Sequence, residues 1–328
     1  MKISCNLVPS PDVVRQAKLA EALGYDSVFL TDAPALYFDV WVSLALVAQA
    51  TETIGIGTGV LVPFTRHPVV NATAIVTLDA LAPGRLRVAL GAGNSARRTL
   101  GERRPSKLDW LQAYIEALRG LLQGDTVVWE GKKVCLIGIE GLWPKLPVTV
   151  PLLMNAIGPR GLAVARECAD GTVGAANRDF ETSIQLCCGT VLDDGEALTD
   201  ERAILAHGPM VLTAIHNMYE DAPEQLSGIP GGDGWRERID ALAPPDERHL
   251  VVHRGHCVQV TPQDREFVGS SDFLAMSALF GSFSGPAEAV RATMTRYAEA
   301  GASEVDYLPA GPDIDRELRA FAEAVHGL

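Results

Sequence analysis

The feature that most constrains this chain is a unit that returns three times along it. Residues 19–30 read LAEALGYDSVFL, residues 163–174 read AVARECADGTVG and residues 297–308 read YAEAGASEVDYL. Each is the end of an amphipathic helix, a small or turn residue, and then a β-branched run. Helices that keep feeding strands in this way imply parallel strands joined by right-handed crossovers. The echoes alone also fit a doubly wound open sheet. Length is compatible with the closed form: 328 residues hold one (β/α)8 barrel of about 250 residues plus insertions without a second domain.

The expected architecture is therefore an α/β protein, a single (β/α)8 TIM barrel domain over 1–328 with rim insertions near 125–148 and 216–282. Its eight strands are expected near 2–7, 26–31, 54–61, 86–91, 151–155, 172–175, 206–215 and 303–308. Ser10 and Pro11 open the first helix, and Val13, Val14, Ala17, Ala20 and Leu23 follow helical spacing. Ile54 to Val62 is apolar and glycine-studded, as befits a strand buried on both faces. Residues 125–148 carry VVWEGKKVCL and a WPKLP turn, a pattern that predicts a hairpin on the rim. Residues 216–282 break the repeat, with IPGGDG, APPDE and a hairpin pattern at 249–260, and are expected to roof the site.

Composition narrows the partners. The net charge of -13 disfavours nucleic acid and anionic membrane surfaces, which select for basic patches. The six cysteines include no C-x-x-C pair and are too sparse for a disulfide scaffold. They read as reduced, mostly buried thiols of a cytoplasmic protein. MKISCNLVPS has too short an apolar run for a signal peptide, and no stretch approaches the roughly 18 apolar residues of a membrane span. What remains is a small-molecule substrate.

Four places at predicted strand ends could carry chemistry. Gly91, Ala92, Gly93, Asn94 and Ser95 follow a strand, where glycines let the backbone approach a ligand and present N–H groups. The same residues also suit an ordinary tight loop. They lack the third glycine of a dinucleotide fingerprint and the G-K-[ST] of a P-loop. Arg97 and Arg98 come next and could pair with phosphate or carboxylate. Asn155, Ala156, Ile157, Gly158 and Pro159 open a helix, where free N–H groups favour an anion. Asp32 sits at the end of the second strand, although TDAP is equally good turn chemistry. Gly59 followed by Val60 inside a core strand suggests a bulge beside a ligand. His253 and His256, spaced i, i+3 in HLVVHRGHCVQV, could face a substrate. With no H-E-x-x-H, EF-hand loop or Cys–His cluster, the sequence predicts no metal. The absence of G-x-S-x-G argues against an α/β-hydrolase.

The block IGIGTGVLVPFTRHPVVNATAIVTLDALAPGRLRVALGAGNS (54–95) resembles the luciferase-like monooxygenase superfamily. Its pattern is nearest to the deazaflavin (coenzyme F420)-dependent oxidoreductases of the methylene-tetrahydromethanopterin reductase type. Residues 152–171 and 284–305 extend the similarity. The resemblance implies a (β/α)8 barrel that holds a flavin or deazaflavin at the strand C-termini. It implies a non-prolyl cis peptide at Gly59-Val60 backing the ring. It puts the ribityl phosphate in the loops 91–95 and 155–159, with Gly174 and Ala175 near that phosphate and Asp32 near the ring. The function it implies is hydride transfer between coenzyme F420 and an organic substrate. Two alternatives stay open: a two-component FMNH2-dependent monooxygenase served by a separate flavin reductase, and a flavin- or deazaflavin-binding protein without catalysis. A homodimer packed through early barrel helices is also implied. Several deazaflavin sugar-phosphate dehydrogenases of this family place a histidine directly after the acidic residue; here it is Ala33, which argues against sugar-phosphate oxidation.

Overall fold

A computed structural model describes residues 1–270 and 282–327. Eight parallel strands close into a barrel: β1 (Lys2–Leu7), β2 (Ser27–Leu30), β3 (Gly55–Leu61), β4 (Leu86–Leu90), β7 (Leu152–Ala156), β8 (Gly171–Gly174), β9 (Ser183–Cys188) and β10 (Glu304–Leu308). Around the ring the order is β1-β10-β9-β8-β7-β4-β3-β2. Helices α1 (Val13–Ala22), α2 (Val40–Ala50), α3 (Pro68–Leu81), α4 (Asn94–Arg98), α5 (Leu108–Gln123) and α6 (Pro159–Cys168) lie between these strands in sequence. The arrangement is the TIM barrel that the repeated helix–strand unit implies.

Local chemistry sets the elements. β2 and β8 are buried at every position, as strands covered on both faces are. Asp39 caps α2 by accepting from the Trp41 and Val42 N–H groups. In α5, Leu111, Ile115, Leu118 and Leu122 are buried at helical spacing, and Gly124 ends the helix at φ 92°. β5 (Val127–Trp129) and β6 (Lys132–Val134) form the antiparallel hairpin expected in 125–148. Glu130 and Gly131 both take positive φ, which is the turn that matches the twist of such a hairpin.

The N-terminal end of the barrel is plugged by charge. Arg87 donates to both Glu304 oxygens at 2.6 and 2.8 Å and to Ser27 Oγ at 2.6 Å, and Ser4 also donates to Glu304. Buried ions need partners on this scale to offset their lost hydration. Further in, Phe29, Ala89, Leu153, Val173 and Ile184 form an apolar cluster on which Val60 and Leu186 pack.

By internal packing the described residues divide into two compact units. The first comprises Met1–Arg97, Glu102–Leu186 and Ala298–Asp306; the second comprises Arg98–Gly101, Cys187–Tyr297 and Tyr307–Leu328. The second unit is helical, with α7 (Glu201–Asp221), α8 (Gly232–Leu242), α9 (His249–Val252), α10 (Arg265–Val268), α11 (Ala287–Glu299) and α12 (Ile314–Val325). Val211, Leu212, Ile215, Trp235 and Phe267 are at its core. Glu317 is held there by Thr190, Arg202 and Arg316.

Two sequence expectations are corrected. The seventh strand is Ser183–Cys188, and residues 206–215 lie inside α7. Ala203, Ala206, His207, Val211, Leu212, Ile215 and His216 are buried there at helical spacing, and the helix continues through Pro209. The true strand follows β8 through the turn 175–182 with no intervening helix, so the repeat gives no cue for it. The second correction concerns 249–260, which is the short helix α9 followed by turns rather than a hairpin. Of the expected insertion 216–282, residues 271–281 lie outside the described residues. Among the described residues no helix is long and apolar enough to cross a membrane. Cys5, Cys168, Cys187 and Cys188 are buried cysteines and Cys135 and Cys257 are partly buried ones, none of them in a disulfide.

Candidate active site

Because the barrel strands run parallel, their C-terminal residues share one end of the ring. At that end β3 loses register between Thr58 and Leu61, a bulge at the position the glycine pattern marks. Gly59-Val60 is a cis peptide bond there. A Cβ on Gly59 would lie 2.3 Å from Asn6 Nδ2, so only glycine lets the Asn6 amide reach this carbonyl. Asn6 Nδ2 donates to Gly59 O and to Asp306 Oδ2, each at 2.8 Å, and Thr31 Oγ1 donates to Asn6 Oδ1 at 2.8 Å.

The predicted positions are contiguous. The Asp32 N–H donates to Val60 O at 3.3 Å. A Cβ on Gly91 would meet Val60 Cγ2 at 2.5 Å and Asn155 Cβ at 3.6 Å, so this loop lies against both. Asn155 Nδ2 donates to Val173 O at 3.0 Å, and a Cβ on Gly174 would reach that same Nδ2 at 3.3 Å. Asp32, Gly59, Val60, Gly91, Asn155 and Gly174 thus trace one arc across the ends of β2, β3, β4, β7 and β8. Ala92, Gly93 and Ser95 are half-buried and Asn94 is exposed. Gly93 takes φ 74°, and Ser106 N donates to Ala92 O at 2.9 Å. Ala156 is buried, whereas Ile157, Gly158, Pro159 and Ala175 are exposed. Gly158 caps α6 and Pro159 is in its first turn.

Asp32 is buried, yet its oxygens are fully engaged. Arg66 Nη1 donates to Oδ2 at 2.7 Å, Arg66 Nη2 to Oδ1 at 3.3 Å, and Val62 N to Oδ2 at 3.0 Å. Burial pushes the Asp32 carboxyl up, and Arg66 pulls against that. Arg66 in turn pairs with Asp39 at 3.0 Å, and its carbonyl accepts from Tyr114 Oη at 2.8 Å. Asp306 is buried with Oδ1 unpartnered; burial pushes its carboxyl up to about 8 although Asn6 lowers it. Ala33 packs with Val62 and Ala96.

Sequence reasoning missed Asn6, Thr31, Arg66 and Asp306. Asn6, Thr31 and Asp306 sit at or beside strand C-termini, and a polar residue in an otherwise apolar strand run was the available signal. The two arginines next to the glycine loop meet protein partners. Arg97 pairs with Glu102 at 3.1 Å and lies over Phe64 at 3.7 Å. In the second unit, Arg98 pairs with Glu220 at 2.8 Å and Asp221 at 2.7 Å. His253 and His256 are also in the second unit, brought together with His216, which sequence reasoning did not single out.

Comparison with known proteins gives the family and a shared fold. The family model for luciferase-like monooxygenase matches residues 7–304. A 5,10-methylenetetrahydromethanopterin reductase of Methanolobus tindarius is 33% identical over 194 residues, 56% of this chain and 58% of that protein. The chain thus spans little more than half of that relative. An F420-dependent glucose-6-phosphate dehydrogenase of Microbacterium testaceum is 30% identical over 290 residues, 72% of this chain and 84% of its own. The structure of the coenzyme F420-dependent tetrahydromethanopterin reductase of Methanopyrus kandleri superposes with a TM-score of 0.66 at 20% identity, over 99% of this chain and 98% of that one. The chain belongs to the luciferase-like monooxygenase family.

Proposed function

We propose that the protein transfers hydride between coenzyme F420 and an organic small molecule, and that the arc from Asp32 to Gly174 holds the coenzyme. The observation that carries this reading is the contiguity of Val60, Gly91 and Asn155 at one barrel end, joined to relatives that are named as F420-dependent glucose-6-phosphate dehydrogenases. The residues fit such a group. Val60 is half-buried on the barrel's apolar plug and offers a flat apolar seat beside a bulged strand. Glycines at 91 and 93 keep side chains out of the adjoining loop. The exposed first turn of α6 presents N–H groups with no helical acceptor, which suits the phosphate.

When bound, the deazaflavin supplies the hydride chemistry, and the protein supplies position and electrostatics. Asp32, with both oxygens taken by Arg66 and Val62, fixes the strand ends rather than exchanging a proton. Ala33 carries no base, which speaks against a sugar-phosphate substrate. His253 and His256 are not needed as substrate contacts in this reading. We also propose a homodimer through α1 and α2, where Val42 and Leu46 of α2 and Phe38 just before it are exposed apolar residues.

The family description favours a second reading, an FMNH2-dependent monooxygenase with a partner flavin reductase. One experiment separates the two. Purified protein is titrated with reduced coenzyme F420 and with FMNH2, and turnover of a panel of enones, imines and alcohols is followed with and without oxygen. F420 binding with oxygen-independent turnover is expected. Binding of FMN alone, with oxygen-dependent product, overturns the proposal.

A further inference from the structure

Three histidines converge inside the second unit. His216 lies near the end of α7, His253 closes α9, and His256 follows within the next turn. Their rings stand edge to face, with centroids 5.8 Å apart for His216 and His253 and 5.6 Å apart for His253 and His256. One ligand atom from each lies within 4.8 Å of the other two. His216 and His253 are 2% and 1% exposed. Neither ring nitrogen of His216 has a hydrogen-bond partner, nor does Nδ1 of His253. A buried ring nitrogen left without a partner loses its hydration with nothing in return and asks for a reason.

We propose that His216, His253 and His256 bind one divalent transition-metal ion of the zinc type. The carboxylates around them are arranged as outer partners. Glu220 Oε2 meets His253 Nε2 at 3.2 Å, which leaves Nδ1 of that ring for the ion. Asp264 Oδ1 faces His216 Nε2 at 4.0 Å, too far for a hydrogen bond but near enough to orient the ring, and accepts from Trp235 Nε1 at 2.8 Å. Trp235 also stacks on His216 at 5.8 Å. Imidazoles are borderline ligands that suit Zn2+ and its neighbours rather than Mg2+ or Ca2+. Tetrahedral Zn–N bonds of ~2.0–2.1 Å put ligand nitrogens about 3.4 Å apart, so the rings draw inward on the ion. Glu220 and Asp264 offset its charge, with Arg98 tempering Glu220. The ion ties the end of α7 to the segment after α9, two parts of the unit joined by a long stretch of loops and short helices.

The test uses full-length protein stripped with a chelator and titrated with Zn2+ against a chromophoric competitor. One tight equivalent per chain and a raised melting temperature are expected. His216→Asn and His253→Asn are expected to abolish the tight equivalent, and Glu220→Gln to weaken it about 10–100-fold. The exposed-site control His326→Ala is expected to leave it unchanged. X-ray absorption on the zinc-loaded unmutated protein, which needs no variant to fold, is expected to show imidazole ligation without sulfur. No tight equivalent, an equivalent that survives in His216→Asn, or sulfur in the first coordination sphere each overturns the proposal.

Discussion

Arg66 grips both oxygens of Asp32, at 2.7 and 3.3 Å, in a pair whose carboxylate side chain is only 2% exposed. Removing one member of a buried pair strands the other charge and costs about 3–5 kcal/mol. Arg66→Ala is therefore expected to lower the unfolding free energy by about that amount, read from urea denaturation. Asp32→Asn in the Arg66→Ala background removes the stranded charge and is expected to recover part of the loss. Equal stability of the single and double variants would show that the pair does not hold the rim.

The contact between Gly91 and Val60 makes a sharper prediction, because the clash is with a side chain that can itself be trimmed. A Cβ at position 91 would lie 2.5 Å from Val60 Cγ2. Overpacking of this kind costs about 1–3 kcal/mol, so Gly91→Ala is expected to destabilise the protein and to weaken binding of the proposed coenzyme. Val60→Ala clears the space. The double variant is expected to be more stable than the sum of the single effects predicts, with a coupling of about 0.5–3 kcal/mol. Additive behaviour in a double-mutant cycle sinks this account of the loop.

How much of this was legible depended on whether a signal was local. The loops at Gly91 and Asn155 announced themselves because a glycine or a helix start directly follows an apolar strand. The barrel was legible because its helix–strand unit repeats. The seventh strand was hidden: SIQLCC has no helix before it, and the stronger apolar run behind it obeys the helical period. Arg66 and Asp306 were equally hidden, since each acts through a partner distant in sequence. The histidine cluster failed for the same reason. His253 and His256 are visible as a spaced pair, but the third ring and both carboxylates arrive from elsewhere in the fold.

Exposed apolar residues on α2 and just before it allow the proposed homodimer to be tested. Phe38, Val42 and Leu46 are 59%, 62% and 55% exposed, and they line one groove with Pro11 and Val14. Stable dimers cover such patches. Val42→Glu with Leu46→Glu is expected to shift the protein to monomer in sedimentation velocity while leaving its circular dichroism unchanged. A parent protein that already sediments as a monomer removes the dimer proposal outright.

Asp306 carries the pH dependence. Its carboxyl is pushed up to about 8 from 3.8, first by burial and then by Glu304, while Asn6 Nδ2 and Arg87 pull the other way. A group held protonated by the fold binds its proton more tightly folded than unfolded. Its contribution is fully present below the unfolded value near 4 and is lost as pH rises through about 8. The change over that window is on the order of 6 kcal/mol, from about 1.4 kcal/mol for each unit of displacement. Asp306→Asn keeps the shape and cannot ionise, so it is expected to abolish this component. Unfolding free energies measured from pH 5 to pH 9 are expected to show the parent protein losing stability relative to Asp306→Asn as pH rises. Parallel profiles would mean that Asp306 is ionised in the folded protein and that its unpartnered Oδ1 is solvated.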